Sequence, residues 1–414
     1  MHFPTKVGAI FCALVTTFIF QGMGCLPADA HRLPSPPIQS VPMDNVKDFG
    51  AKGDGITDDQ NAIQSAINDA QTNHKILFFP SGNYLHSNLI LFNGVDVQGS
   101  GASSVLTATS STNAAVVLSG SNVSIQNMVF STAGLTGGSG TAAGSTFVVL
   151  DGYSFTVKNN TIVQGANRIG IVVLVSSTGT VNSCICDGTG SANDIGVLVN
   201  QSANISVVGN LLQNEAAGVY FASGTGCQSI SVLSNSIGNV SFPTSAYGIL
   251  ALGVTTLDIG QNSIQMANAS NGVPVYLSGC DVFSVSQNNT YGGIAGIAIG
   301  AAGASNNTVS QNTIHNCGVQ GVLSNNIASS ALAITSNVFG ECGLNATGAS
   351  LNNAVILVEG TAASGATTFV QNNSYQGHTN GLQSYVTSTF TSPHIPAADV
   401  TGNTQTQTTL SNHI

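Results

Sequence analysis

Arg168, Asp187, Asp194 and Glu215 gather more charge than any other stretch beyond the opening segment, in a chain only 6% charged. Two or three carboxylates within reach of one another are the equipment of glycoside hydrolysis, one as general acid and another as base or nucleophile. Holding like charges close raises one pKa toward the acid role. Asp187, Asp194 and Glu215 are therefore the candidate catalytic residues, with Arg168 placed to hold a substrate hydroxyl or carboxylate and Tyr220 to stack on a sugar ring. The same spacing also suits a surface ion pair between Arg168 and Asp194, with two solvated acids beside it. His315, Glu341 and His378 form a looser group, readable as a His–carboxylate acid/base pair or as solvated turn residues.

A repeat is what brings these residues together. One phrase recurs: an aliphatic residue, two variable residues, a polar residue, then often an aliphatic residue two further on. It reads Val157-Lys-Asn-Asn160-Thr-Ile162, Val207-Val-Gly-Asn210-Leu-Leu212, Val232-Leu-Ser-Asn235-Ser-Ile237 and Ile259-Gly-Gln-Asn262-Ser-Ile264, with further copies up to Asn373. From Asn160 through Cys184, Asn210, Asn235, Asn262, Asn288 and Asn312 to Asn337 the steps are 24, 26, 25, 27, 26, 24 and 25 residues. Each repeat holds a second short run, usually opened by Gly, such as Gly196-Val-Leu-Val and Gly218-Val-Tyr-Phe. Runs of three to five residues with period-two alternation, separated by Gly, Ser, Asn and Thr, are strands and turns. A period of about 25 residues then predicts an all-β solenoid, a parallel β-helix in which each coil buries its apolar face against its neighbours. The recurring Asn becomes a ladder of stacked amides. Arg168 and Asp194 each lie two residues before a run-opening Gly, so they stack on neighbouring coils, with Glu215 on the next.

The ends carry their own signals. Val7 to Phe20 is apolar, follows Lys6 and precedes Ala28-Asp29-Ala30, the pattern of a signal peptide over residues 1–30. The expected location is secreted, cell-surface or periplasmic, with no membrane segment after signal removal. Residues 31–43 read as a Pro-rich linker, 44–386 as the β-helix and 387–414 as a polar tail. Asp58 or Asp59 can cap a helix running to Ala70, which would close the open end of the solenoid. Cys317 and Cys342 each fall five residues after a ladder Asn on adjacent coils, which predicts a disulfide; no Cys/His spacing suits zinc. Outward-facing Val172, Leu198 and Leu250 form an aliphatic stripe for a loop, the tail or another subunit. A net charge of −10 repels nucleic acid and acidic glycans and favours a neutral polysaccharide as partner.

The opening Val46-Lys-Asp-Phe-Gly-Ala-Lys-Gly-Asp-Gly-Ile-Thr-Asp-Asp59, with Ala62-Ile63-Gln64, Ala66-Ile67 and Phe79-Pro80-Ser-Gly82-Asn-Tyr84, resembles the N-terminus of the pectate-lyase superfamily. Within it, the branch of rhamnogalacturonase-like and epimerase-like domains, family 55 glucanases and phage tailspikes is the most similar. The resemblance covers residues 44–84 and implies a single-stranded, right-handed parallel β-helix and contact with polysaccharide along its length. Members include hydrolases, lyases, epimerases and non-catalytic binders. The Asn-Thr-Asp, Asp-Asp, Gly-His-Gly and Arg-Ile-Lys motifs of polygalacturonase-like enzymes do not occur here, nor does the Asp-Pro-His-Glu of alginate epimerases. Three readings follow: a glycoside hydrolase using Asp187, Asp194 and Glu215, a binding or adhesion module, and a Ca²⁺-dependent lyase or epimerase. The hydrolase needs no cofactor. In the signature itself, Asp54, Asp58 and Asp59 are expected to shape the turn and the cap.

Overall fold

The computed structural model describes residues 41–414 apart from 111–113, 138–143, 223–225, 241–245, 268–271, 301–305, 326–330, 344–353, 360–366, 377–383, 389–399, 406–410 and 414. The expected signal peptide, most of the linker and His378 lie outside the described residues. A typical coil holds three strands, and in one coil the first two merge into the long strand Ser145–Lys158. One coil reads Ile195–Asn200, Ala203–Val208 and Leu211–Gln213, and the next reads Ala217–Phe221, Gln228–Leu233 and Ser236–Val240. Pairing is parallel throughout, with Val197 beside Val219, Val207 beside Val232 and Leu212 beside Ile237. The period-two alternation is what sends these residues inward. Val207, Val232, Ile259 and Val285 stack fully buried along one wall of the interior, and each such side chain contributes about 1.5–3 kcal/mol of burial.

The Asn ladder fixes the register of the coils. Asn235 Nδ2 donates to Asn262 Oδ1 at 3.0 Å and to Val207 O at 2.9 Å, while Asn235 N donates to the same Asn262 Oδ1 at 2.9 Å. Asn210, Asn262, Asn288, Asn312, Asn337 and Asn373 repeat the pattern. The residue before each rung turns through left-handed backbone, with φ of 52° at Ser183, 56° at Ser234, 59° at Gln261 and 58° at Gln287. That requirement explains why small or amide residues precede the ladder position. Met128 holds the rung below Asn160 and donates its N–H to Asn160 Oδ1. At the far end, Asn373 Nδ2 donates to Asn403 Oδ1 at 3.0 Å, and Val400–Thr401, Thr404–Gln405 and Ser411–His413 are strands. The solenoid therefore runs past residue 386, into what reads from composition as a tail.

The N-terminal signature builds the cap. The helix Gln60–Asn73 buries Ile63, Ala66, Ile67 and Ala70 against the first coil. Asp59 precedes it, but its carboxylate accepts Lys52 N at 2.6 Å and Gly53 N at 2.9 Å, while Asp58 Oδ1 accepts Gln60 N at 3.0 Å. Asp54 closes its own turn through Ile56 N and Thr57 N. All three acids are thus occupied by backbone. Gly53, at φ 61°, leaves room for Tyr84, whose ring would stand 2.7 Å from a Cβ there. Tyr84 in turn packs edge-on against Phe79 and donates its hydroxyl to Pro80 O.

Candidate functional site

The four charged residues singled out from the sequence occupy one corner of three consecutive coils, at the end of the short strands Thr161–Val163, Ile185–Asp187 and Leu211–Gln213. Their depth differs from expectation. Arg168, Asp194 and Glu215 are each 0% exposed, so neither a surface ion pair nor direct contact of these three with a polymer fits the structure. Asp194 does meet Arg168, but through the backbone: its Oδ1 accepts Arg168 N at 3.2 Å. Its Oδ2 accepts Thr189 N and Thr189 Oγ1 at 2.7 Å and Ser191 N at 2.9 Å. A carboxylate with that many donors is a staple for its loop. The Arg168 guanidinium donates through Nη2 to Ser145 O at 2.9 Å, and burial pulls its pKa down.

Glu215 sits deeper in the same corner. Gln164 Nε2 donates to its Oε1, and Oε2 has no hydrogen-bond partner among the described residues. Burial, then the nearby charges of Asp194 and Asp187, push its pKa well up, with Gln164 opposing. Gly188 makes the space: a Cβ there would stand 2.7 Å from Glu215 Oε2. Asp187 is the one acid of the three with an accessible side, half-buried on the outer surface, where it accepts Asn214 Nδ2 at 2.8 Å. The structure brings the three carboxylates to one corner and leaves a single one facing outward. Among the described residues no group of three or more His, Cys, Asp or Glu converges to hold a metal ion.

Two other expectations change. Cys317 and Cys342 are on adjacent coils, as their spacing requires, but both are free, buried thiols in hydrogen-bond contact. The Cys342 thiol beside it, and then burial, push the Cys317 pKa well up, which disfavours the thiolate that disulfide formation requires. Val172 and Leu198 do not form an open stripe: they are buried in a second apolar cluster with Ala114, Val117, Val148 and Ile169. Beyond that cluster the same outer face becomes aromatic. Tyr220 pairs with Leu250 and Leu250 with Tyr276, while Tyr247 leans on Tyr276 with ring centroids 5.6 Å apart. Tyr220, Tyr247 and Tyr276 are half-buried, each keeping an accessible side across three successive coils.

The chain belongs to the family described as rhamnogalacturonase A/epimerase, pectate lyase-like, which matches residues 43–273, a family of carbohydrate-active β-helix proteins. Among solved structures it is similar to PfbA, a surface adhesin of Streptococcus pneumoniae, with a TM-score of 0.62 and 14% identity over 84% of this chain and 94% of that one. It is also similar to the catalytic unit of a GH87 α-1,3-glucanase from Streptomyces thermodiastaticus, with a TM-score of 0.51 and 14% identity over 91% and 71%. At such identities the likeness is one of fold. A glucan 1,3-β-glucosidase of Cochliobolus carbonum is 36% identical over 96 residues, 20% of this chain and 12% of the relative. Alginate lyase 7 of Azotobacter vinelandii is 59% identical over 44 residues, 10% and 5% respectively. The chain thus spans only a small part of the length of these relatives. No helix among the described residues is long and apolar enough to cross a membrane.

Proposed function

We propose that this chain is an exported β-helix that binds a neutral polysaccharide along the tyrosine-bearing outer face, across Tyr220, Tyr247 and Tyr276. One observation carries the reading: three rings face outward on three successive coils, while Asp194 and Glu215 are sealed beneath the backbone. Aromatic rings give sugars a flat apolar surface with a hydroxyl at its edge. The net charge of −10 weighs against an acidic polymer. Membership of the pectate lyase-like family and the similarity to a glucan 1,3-β-glucosidase agree with a glycan partner. Export rests on the N-terminal signal pattern.

A second reading, glycoside hydrolysis, draws on one feature: Glu215 is driven toward its protonated form beside Asp187 and Asp194, the division of labour that an acid and a base require. It needs the corner to open so that Glu215 reaches the glycan. The two readings part in a co-sedimentation assay on insoluble neutral and acidic polysaccharides, with and without Ca²⁺, read together with release of reducing ends. Retention on a neutral polymer, lost in Tyr276→Ala and without new reducing ends, supports binding. Reducing ends that vanish in Glu215→Gln support hydrolysis, and calcium-dependent unsaturated products would replace both with a lyase.

A further inference from the structure

The third strand of each coil presents a separate outer face, and two columns of side chains run along it. Ser263, Asn289 and Thr313 stack in one column, and Gln265, Tyr291 and His315 in the other. These residues line an open depression of about 430 Å³, the size range of small-molecule sites. Tyr291 is 47% exposed.

The surrounding sequence builds this recess. Gly238, which follows Gln213 in the outer column, has only open space where a Cβ would stand. At the other end Gly340 follows His315, and a Cβ on it would meet His315 Nδ1 at 2.5 Å. The imidazole therefore lies over a rung without a side chain. Behind Tyr291 the chain turns at once through Gly292 and Gly293, with φ of 82° and 88°. A Cβ at Gly293 would stand 2.6 Å from Pro274 Cδ. This tight corner rejoins the next strand, Ala295–Ile299, without a loop long enough to cover the ring.

The chemistry of the lining selects a class of ligand. Among the described residues no Lys, Arg, Asp or Glu lines the depression. It offers amides, hydroxyls and an imidazole around one aromatic ring, which suits a ligand with an apolar face rimmed by hydroxyls and without charge. We propose that this depression is a second carbohydrate subsite, on a different face from Tyr220, Tyr247 and Tyr276, which takes a pyranose unit of a short neutral glycan with its ring against Tyr291. The amides of Gln265 and Asn289 hydrogen-bond the sugar hydroxyls.

The test is isothermal titration of the full chain with cellohexaose, laminarihexaose and maltohexaose as neutral probes and trigalacturonate as the charged one. Saturable binding of at least one neutral hexaose is expected, weakened tenfold or more in Tyr291→Ala and several-fold in Gln265→Ala. Both positions are on the surface, and unchanged far-UV circular dichroism verifies that the variants fold. Equal affinity of Tyr291→Ala and the native chain, preference for trigalacturonate, or no binding of any neutral hexaose overturns the proposal. It fails separately from the tyrosine-face reading: a chain that binds a hexaose through Tyr291 yet is not retained on insoluble polymer keeps this subsite and loses the other.

Discussion

Gln164 donates to Glu215 across 51 residues of chain and two coil boundaries, a hydrogen bond that ties three coils together at the corner where most internal charge is concentrated. The groups facing Glu215 are Gln164, Asp187, Asp194 and Cys186. Its pKa in the fold is well above the ordinary 4.5, so the unfolded chain releases this proton first as pH rises. The stability that Glu215 contributes is complete below about pH 4.5 and is lost as pH climbs through the folded-state value. Thermal melts from pH 4 to 9 should show a slope from this source that Glu215→Gln removes, with the variant gaining on the native chain toward alkaline pH. Parallel profiles for the two proteins would show that the carboxyl is not held protonated.

Asp194 acts on its own loop. Asp194→Ala strips the acceptor from Thr189, Ser191 and Arg168 N–H groups, and charged hydrogen bonds of this kind are worth about 1.5–3 kcal/mol. We expect destabilisation of about 2–3 kcal/mol in urea titrations, with glycan retention intact wherever the variant remains folded. A variant as stable as the native chain would contradict the role of a staple.

Asn262 is a rung with partners above and below. Asn262→Ala leaves Asn235 N, Asn235 Nδ2 and Val232 O without their bonds, at a cost of about 3 kcal/mol or more. Because repeat arrays open locally, hydrogen exchange is the readout. Faster exchange should spread over the coils carrying Asn235 and Asn288 and spare the helix Gln60–Asn73. Uniform acceleration along the chain would mean that the ladder does not act coil by coil.

Val175 has a φ of 50° and is 47% exposed. A β-branched residue in left-handed backbone is strained, by roughly 1–2 kcal/mol. Val175→Gly should raise stability by about 1 kcal/mol, seen as an increase in Tm; a fall would show that the exposed methyl groups offset the strain.

The coil was legible because one requirement, an amide rung on every turn, stamps the sequence at each repeat. The same spacing placed Arg168 beside Asp194. Depth was harder to read: at a corner, spacing along the coil identifies neighbours but not whether a side chain points in or out. Asp194 carried a sign of its role, since Thr189 and Ser191 lie just before it in the same loop, as turn-forming donors do. Cys317 and Cys342 show the converse limit: shared register brings two thiols together on adjacent coils, yet both are free. Val400-Thr-Gly-Asn403 repeats the ladder phrase inside a segment that composition marks as a tail. Tyr291 stands three residues after Asn288, the offset shared by Asp187 and His315. The column was therefore visible in the sequence, but the glycines that open it emerge only when the coils are stacked.

Binding and hydrolysis are separated most directly by incubating native chain, Tyr276→Ala, Asp187→Asn and Glu215→Gln with the neutral polysaccharide that retains the protein best, and measuring the bound fraction and reducing ends from the same tubes. Binding along the tyrosine face predicts strong retention of the native chain, weak retention of Tyr276→Ala and no reducing ends from any of the four. Reducing ends from the native chain that disappear in Asp187→Asn and Glu215→Gln would contradict it and place catalysis at the buried corner.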